Sequence, residues 1–197
     1  MDEQRLFAVV LAAGSASRFG ATKQLADYVG KPLVQRAVRL AEAVCPQRTL
    51  LVTGNDWQRV HAAAAPLAGF FIHNERYKQG MGGSIASAVR AVAETSDAVL
   101  LLLADQPRIS EEYLRKMIAT WLASKQKIIA SNYADTIGPP ALFPARYFGE
   151  LIRLEGDRGA KTLLEEHRQQ VVALSCDEAA CDIDTIEDLN DLQSRAT

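Results

Sequence analysis

The chain has few of the features that mark several large classes of protein. It contains three cysteines in 197 residues, and they are odd in number and widely spaced, which is typical of reduced thiols rather than of a disulfide framework or a zinc site. Its apolar runs, such as Ala98–Ala104, are far shorter than the roughly 18 residues that a membrane span requires. The first residues, MDEQRLFAVV, lack the layout of a secretory leader. We therefore expect a cytoplasmic protein with no membrane contact.

The sequence also lacks an excess of positive charge. Lys and Arg number 22 against 24 Asp and Glu, for a net charge of −2. Binding to a nucleic-acid polymer is not expected without a basic surface field. An apolar fraction of 48% and a charged fraction of 23% are those of an ordinary globular protein. The sequence contains no repeat or linker, and its length predicts a single domain over residues 1–197.

Short, nearly continuous apolar runs alternate with amphipathic segments along the chain. The runs predict strands that are buried on both faces, and they are Leu6–Leu11, Thr49–Thr53, Gly69–His73, Ala98–Leu103 and Lys127–Ser131. Apolar faces at helical spacing predict helices within residues 33–44, 85–92 and 113–121. Ser110 can cap the third of these helices, and Thr185 with Asp188 resembles a capping box that starts a last one. The pattern predicts an α/β fold with a doubly wound, mostly parallel sheet, whose ligands bind at the carboxyl ends of the strands.

The loop after the first strand is rich in small residues and contains two cations. It reads LAAGSASRFG over residues 11–20, and Lys23 follows shortly after. Small residues let a ligand approach the backbone, whose N–H groups can bind phosphate oxygens, while Arg18 and Lys23 supply positive charge. Walker A spacing is absent, and a G-x-G-x-x-G fingerprint fails at Ala16. Composition alone fits equally well a small-residue turn with two solvated cations.

Three further segments carry candidate ligands. Asp105 ends a predicted strand in LADQP, where a carboxylate can bind Mg²⁺ or cap a turn. The segment NERYKQGMGGS, residues 74–84, starts a predicted helix whose free N–H groups can bind an anion or the edge of a base. An ordinary glycine-rich helix start fits the same segment as well. Met81 also fits a position in the core. CDIDTIED, residues 181–188, is either part of a metal site or a solvated acidic turn.

These segments together resemble a known family. LAAGSASRFG…K is similar to the L-A-A-G-x-[GS]-x-R-[MF]-G…K element of nucleotidyltransferases. LADQP, NERYKQGMGGS and DIDTIED resemble further elements, the last with Ile186 where proline is usual. From about Phe7 to Leu192 the chain resembles the MobA-like group that includes molybdenum-cofactor cytidylyltransferase. The resemblance implies a Rossmann-like nucleotidyltransferase fold.

The resemblance also implies roles for individual residues. Arg18, Lys23 and Asp105 would be catalytic, and Mg²⁺ would bind Asp105 and Asp184, with Asp182 as the competing second ligand. The implied nucleotide-binding residues are Leu11, Ala12, Ala13, Gly14, Arg18, Lys23, Asn74, Gly80, Met81 and Ser84.

The implied acceptor side is less well defined. GPPALF, residues 138–143, is similar to a G-x-P-x-x-F element, and GDRGAK, residues 156–161, is similar to a G-D-x-G-A-[RK] element. The residues implied to bind the acceptor are Gly138, Pro140, Asp157 and Arg158, although a plain loop before a helix fits the segment of the last two nearly as well. Pro139 stands where many cytidylyltransferase relatives have His, and proline cannot replace the hydrogen bonds of an imidazole. This departure bears on the acceptor more than on the reaction.

The reaction implied is Mg²⁺-dependent transfer of a nucleoside monophosphate, CMP from CTP, to a molybdopterin-type cofactor with release of pyrophosphate. Transient contact with a molybdoenzyme or its chaperone is also implied. One alternative keeps the reaction and changes the acceptor to a sugar phosphate or an alcohol phosphate. Another is a non-catalytic carrier that binds nucleotide or cofactor. Paired metal carboxylates favour an enzyme, because a carrier does not need them.

Overall fold

A seven-stranded sheet forms the centre of the molecule. The computed structural model describes residues 5–14, 19–64, 69–157 and 159–194. In chain order the strands are β1 (Leu6–Ala12), β2 (Asp27–Tyr28), β3 (Lys31–Pro32), β4 (Thr49–Thr53), β5 (Phe70–His73), β6 (Ala98–Leu103), β7 (Ile128–Tyr133), β8 (Thr136–Pro144) and β9 (Val171–Ser175). The main sheet has the order β5-β4-β1-β6-β8-β7-β9, and β2 pairs with β3 in a separate hairpin. Within the main sheet β8 runs antiparallel to both of its neighbours, and the other described pairs are parallel.

Helices cover both faces of this sheet, because alternate residues of each buried strand point to opposite sides. In β1, Ala8 and Val10 belong to one apolar cluster, and Val9 and Leu11 belong to the other. The first cluster includes buried residues of α1 (Leu33–Val44), α2 (Trp57–Ala64) and α4 (Glu111–Ala123). The second includes residues of α3 (Met81–Val92), α5 (Phe148–Leu151) and α6 (Ala160–Glu166). The predicted doubly wound, mostly parallel α/β fold is confirmed.

A third, smaller apolar cluster attaches the C-terminal segment to the rest of the molecule. It consists of Phe19, Tyr28, Leu33, Ile183 and Leu192. Leu192 lies on the last helix, α7 (Ile186–Ser194). This cluster therefore holds residues 182–184 beside the β2–β3 hairpin and the start of α1, at the carboxyl edge of the sheet.

The two predicted helix starts are confirmed. Ser110 Oγ accepts a hydrogen bond from the backbone N–H of Tyr113 at 3.1 Å. At the start of α7, Thr185 Oγ1 accepts from the N–H of Asp188 at 3.1 Å, and Asp188 Oδ2 accepts from the N–H of Thr185 at 2.8 Å. This reciprocal pair is the arrangement of a capping box, with aspartate in place of glutamate.

Two strands of the sheet, β8 and β9, are not among the predicted ones. β8 contains Pro139 and Pro140, which are unusual within a sheet because proline cannot donate to the ladder. The pairing of β7 with β8 shifts its register between Ala130 and Ser131. The side chains of neighbouring residues hydrogen-bond to the proline carbonyl groups: Ser131 Oγ donates to Pro140 O at 2.8 Å and Gln106 Nε2 to Pro139 O at 3.3 Å.

The helices within the described ranges are too short or too polar to cross a membrane.

Candidate active site

A cleft of about 270 Å³ opens at the carboxyl edge of the sheet, where β1 and β6 end and α3 begins. This is the edge at which α/β folds of this kind bind ligands. Nine of the predicted site residues line the cleft, and they are Leu11, Ala13, Gly14, Lys23, Gly80, Met81, Ser84, Asp105 and Asp157.

Lys23 lies between two carboxylates at this cleft. Its Nζ is 2.7 Å from Asp105 Oδ2 and 2.9 Å from Asp184 Oδ1. The residue is 8% exposed. Burial lowers the pKa of Lys23, but the charges and hydrogen bonds of Asp105 and Asp184 outweigh it, so that the pKa lies above its ordinary value. The side chain is therefore a buried, permanently charged ammonium at neutral pH.

A divalent cation fits the same pair of carboxylates. Asp105 Oδ1 is buried and has no hydrogen-bond partner among the described residues, although a buried carboxylate oxygen ordinarily has one. Mg²⁺ and Mn²⁺ take oxygen ligands from one or two carboxylates together with substrate phosphates. Asp105 and Asp184 are the residues that would hold the metal. Lys23 neutralises much of the charge of these two carboxylates.

Ile183 brings Asp184 next to Asp105. Its side chain is fully buried, and its backbone N–H donates to the carbonyl oxygen of Asp105 at 3.0 Å. The flanking residues, Asp182 and Asp184, are exposed. Desolvation of the Asp182 carboxyl, together with the charges of Asp105 and Asp184, raises its pKa. Asp182 thus lies in the field of the pair, but the ion pair with Lys23 is made by Asp184.

The start of the first loop is fixed by a residue whose role was not predicted. Gln24 is 4% exposed, and its Nε2 donates to the carbonyl oxygen of Gly14 at 3.0 Å. This bond ties the loop to the short 3₁₀ turn that carries Lys23. The signal available in the sequence was the position of Gln24 directly after Lys23. Arg18 lies outside the described residues, and Ala12 packs in the core cluster that contains α1.

Asn74 and Ser84 support the wall of the cleft. Asn74 Nδ2 donates to Ser84 Oγ at 2.9 Å, and Asn74 Oδ1 accepts from the backbone N–H of Arg76 at 3.0 Å. Both residues are buried, and only Ser84 lines the cleft. Together they hold the loop that leads to Gly80 and Met81. Met81 is 43% exposed on the cleft wall and is not a core residue.

The loop before α6 packs directly on the start of α3. Gly80 has φ +108°, and a Cβ there would lie 2.2 Å from the carbonyl group of Gly156. The backbone N–H of Gly82 donates to the same carbonyl oxygen at 2.9 Å. Only glycine permits so close an approach in this conformation. The contact places Asp157 on the cleft, whereas Arg158 lies outside the described residues.

The structure places two of the predicted acceptor-binding residues outside the lining of the cleft. Gly138 and Pro140 are buried in β8. A Cβ at Gly138 would lie 2.5 Å from Tyr133 Oη, so this glycine makes room for the tyrosine ring. Pro140 offers its carbonyl oxygen to Ser131. Their observed contacts are internal ones.

An aromatic and a cationic residue of the cleft are among those that were not singled out from the sequence. Tyr77 and Lys78 line its wall, and Lys78 Nζ lies 5.9 Å from the centre of the Tyr77 ring. A Cβ at Gly54 would lie 2.5 Å from Tyr77 Cβ, so glycine there lets the tyrosine pack against the end of β4. Both residues lie within the NERYKQGMGGS segment, whose aromatic and cationic members were the available signal.

An α/β sheet with a small-residue loop, a buried lysine and two converging carboxylates at its carboxyl edge is the arrangement of a nucleotidyltransferase. Residues 8–171 match the model of the MobA-like NTP transferase domain. The chain therefore belongs to this family of enzymes, which transfer a nucleotide from an NTP and release pyrophosphate.

The chain is also similar in sequence to individual bacterial proteins. The chain is 27% identical over 173 residues to the purine catabolism protein PucB of Bacillus subtilis, and the alignment covers 84% of this chain and 83% of PucB. It is 34% identical over 152 residues to the bifunctional protein GlmU of Dinoroseobacter shibae, covering 76% of this chain but only 32% of GlmU. The chain thus spans about a third of the length of that relative.

A solved structure is similar over nearly the whole chain. The crystal structure of Rv0371c from Mycobacterium tuberculosis is 30% identical, with a TM-score of 0.86, and the match covers 98% of this chain and 100% of that one. A second structure of Rv0371c, in complex with manganese, has a TM-score of 0.80 at 29% identity, with 97% and 99% of the two chains covered. A relative with this fold therefore binds a divalent metal.

Proposed function

We propose that this protein is a Mg²⁺-dependent cytidylyltransferase, which transfers CMP from CTP to the phosphate of a molybdopterin-type cofactor and releases pyrophosphate. The observation that carries the catalytic part of the proposal is the convergence of Asp105 and Asp184 on the buried ammonium of Lys23. The cytidine and pterin part rests on the resemblance of the sequence segments to the cytidylyltransferase group.

Nucleotidyl transfer needs the attacking phosphate aligned with the α-phosphorus and the developing charge neutralised, without a covalent enzyme intermediate. A divalent ion on Asp105 and Asp184 would supply Lewis-acid stabilisation of phosphate oxygens. Lys23 contributes a fixed positive charge on the triphosphate side, since its raised pKa keeps it protonated. Gly14 offers an exposed, small-residue backbone to the phosphates.

The wall that starts at α3 is suited to hold the nucleoside. Met81 and Tyr77 provide apolar surface, and Lys78 adds a further cation beside them. Asn74 and Ser84 keep this wall in place through their mutual hydrogen bond. On the proposal, Asp157 lies toward the acceptor and is held there by the contact of its loop with Gly80.

A sugar phosphate or an alcohol phosphate is the alternative acceptor. It is favoured by Pro139, which replaces the hydrogen-bonding His of many cytidylyltransferase relatives and lies in β8. A carrier without catalytic activity is disfavoured, because binding alone gives no reason to bring two carboxylates together on one buried cation.

A pyrophosphate-release panel tests the proposal. The four NTPs are each combined with molybdopterin cofactor and with several sugar phosphates in the presence of Mg²⁺. Preference for CTP with the pterin supports the proposal, and turnover only with a sugar phosphate overturns its acceptor. Binding of both substrates without pyrophosphate release would identify a carrier. Asp191→Asn, an exposed aspartate of α7, is the matched control for Asp105→Asn.

A further inference from the structure

A second cavity lies beside the first and is lined by cations. Its volume is about 220 Å³, and Lys31, Arg36 and Arg39 line it. No aspartate or glutamate of the described residues contributes to its lining. Leu33 and Ala104 form part of the wall of both cavities. The second cavity therefore adjoins the candidate active site and has the opposite charge to the carboxylate pair.

Arg36, which lines this cavity, has an unsatisfied donor in its guanidinium group. Its Nε is buried and has no hydrogen-bond partner in the part of the chain that the structure describes. Its guanidinium carbon lies 5.0 Å from the centre of the Tyr28 ring, which fixes the group in place. A buried donor without an acceptor costs free energy that a bound acceptor would recover. A guanidinium can donate two parallel hydrogen bonds to the oxygens of one ligand, so Arg36 is suited to bind a phosphoryl group.

The positive charge of the cavity is not neutralised by neighbouring acids. Elsewhere on this face of the sheet, Arg115 pairs with Glu111 at 2.7 Å, and Arg59 pairs with Asp56 at 2.9 Å. Among the described residues, no ion pair is made by the three cations of the cavity, Lys31, Arg36 and Arg39. Three cations without counter-charges around one cavity attract a multiply charged anion.

We propose that this cavity is a second anion site, separate from the site of the triphosphate, which binds a phosphoryl group through Arg36, Arg39 and Lys31. It communicates with the active site through residues 104–107, because Gln106 and Pro107 line it and directly follow Asp105. The binding itself does not depend on the proposed function. The phosphoryl group belongs either to a free polyphosphate such as pyrophosphate or to a phosphorylated small molecule.

Calorimetric titration of the metal-free protein with inorganic pyrophosphate tests the site. Arg36→Gln and Arg39→Gln should each weaken one binding event by about tenfold or more. Lys23→Met, which removes a cation from the first cleft, should leave that event in place. Arg146→Gln is the control, because Arg146 also stacks on a tyrosine, with its guanidinium carbon 5.1 Å from the Tyr147 ring, and does not line the cavity.

A parallel titration with glucose 1-phosphate distinguishes the two sources. Tighter Arg36-dependent binding of pyrophosphate indicates a free polyphosphate, and tighter binding of the sugar phosphate indicates a phosphorylated small molecule. Thermal denaturation establishes that the variants are folded, and the exposed Arg39 provides the readout if Arg36→Gln does not fold. Equal pyrophosphate affinity and stoichiometry in the wild type and in the folded variants at Arg36 and Arg39 would overturn the proposal.

Discussion

The backbone N–H of Ile183 donates a hydrogen bond to the carbonyl oxygen of Asp105 at 3.0 Å. These residues come from the end of β6 and from the segment before α7. The bond fixes the register between the two segments, so that Asp184 arrives next to Asp105 and both carboxylates contact Lys23. This backbone contact and the burial of the Ile183 side chain together bring the two halves of the proposed metal site next to each other.

Substitution of Asp105 or Asp184 should lower kcat much more than substitution of the neighbouring Asp182. We expect Asp105→Asn and Asp184→Asn each to lower kcat by at least about 100-fold, because each removes charge stabilisation specific to the transition state. Asp182→Asn is the matched control and should lower kcat by less than about threefold. Steady-state pyrophosphate release, with circular dichroism to establish folding, measures both. A large loss at Asp182 with little at Asp184 would assign the second ligand to Asp182.

Truncation of the buried Ile183 side chain should lower both the stability of the fold and kcat. Ile183→Ala removes a fully buried side chain, and we expect it to lower the free energy of unfolding by about 2–4 kcal/mol. It should also lower kcat, because Asp184 loses its support. Ile186→Ala is the control three residues away; Ile186 is 49% exposed, so a change within about 0.5 kcal/mol is expected. Urea denaturation gives the two unfolding free energies, and steady-state pyrophosphate release gives kcat. Equal losses of kcat in the two variants would contradict the positioning role.

Lys23 competes with a metal for the same oxygens. Without nucleotide, Lys23→Met should therefore bind Mn²⁺ more tightly than the wild type, by about fivefold or more, because the ammonium no longer neutralises Asp105 and Asp184. Electron paramagnetic resonance titration of free Mn²⁺ measures this without turnover. Lys78→Met removes another cleft cation that has no ion pair with either carboxylate among the described residues, so it should have a much smaller effect. Weaker Mn²⁺ binding by Lys23→Met would show that the lysine assists the metal.

The contribution of the Lys23 ion pairs to stability should decrease at alkaline pH. The pKa of Lys23 is raised above its ordinary value of 10.5. The ammonium therefore stabilises the folded state fully below that value, and the stabilisation is lost as the pH rises through the folded-state pKa. The difference in unfolding free energy between the wild type and Lys23→Met should be constant from about pH 7 to 9 and shrink above about pH 10.5. Urea denaturation across this range measures the difference, and Lys116→Met, at an exposed residue of α4, gives the background. A constant difference between the wild type and Lys23→Met up to pH 11 would refute the coupling.

The contact between Gly80 and Gly156 should be intolerant of a methyl group. Gly80→Ala combines an unfavourable positive φ with a Cβ that would lie 2.2 Å from the Gly156 carbonyl, so we expect both lower stability and a raised KM for the NTP. Gly30→Ala is the control, since Gly30 has φ +77° and nothing within 4 Å of a Cβ. It should cost only the backbone strain of about 1–2 kcal/mol. Similar KM values for the two variants would show that the Gly80 contact does not shape the cleft.

Much of the fold follows from local patterns in the sequence. The apolar runs of β1, β4 and β6 predict strands because each is short, β-branched or leucine-rich and ends at small or polar residues. The starts of α4 and α7 follow from side-chain capping by Ser110 and Thr185. β8 was not predicted, since its two prolines are typical of a loop and its acceptor groups are satisfied by side chains remote in sequence.

The resemblance predicts the members of the candidate site and places Asp105 with Asp184, but it does not predict the ion pairs that Lys23 makes with both carboxylates. Gly14, Lys23 and Asp105 follow from the resemblance of their segments to a family, and all three line the cleft. The ion pair of Lys23 with Asp184 joins residues 161 positions apart. It depends on the burial of Ile183 in a tertiary cluster, for which one chain offers no local signal. The role of Gln24 was missed for a different reason: its partner is a backbone carbonyl group, which no side-chain pattern in the sequence indicates.

The small cluster that anchors Ile183 and Leu192 belongs to a segment that is synthesised late, so the proposed metal site is completed late in folding. During synthesis from the N-terminus, Gly14, Lys23 and Asp105 leave the ribosome long before Asp184 does. A nascent chain therefore has Lys23 and one carboxylate of the proposed metal site before it has the second. Catalytic competence on this scheme is acquired only when the last segment docks, so a shortened chain can keep much of the sheet and still lack a complete metal site.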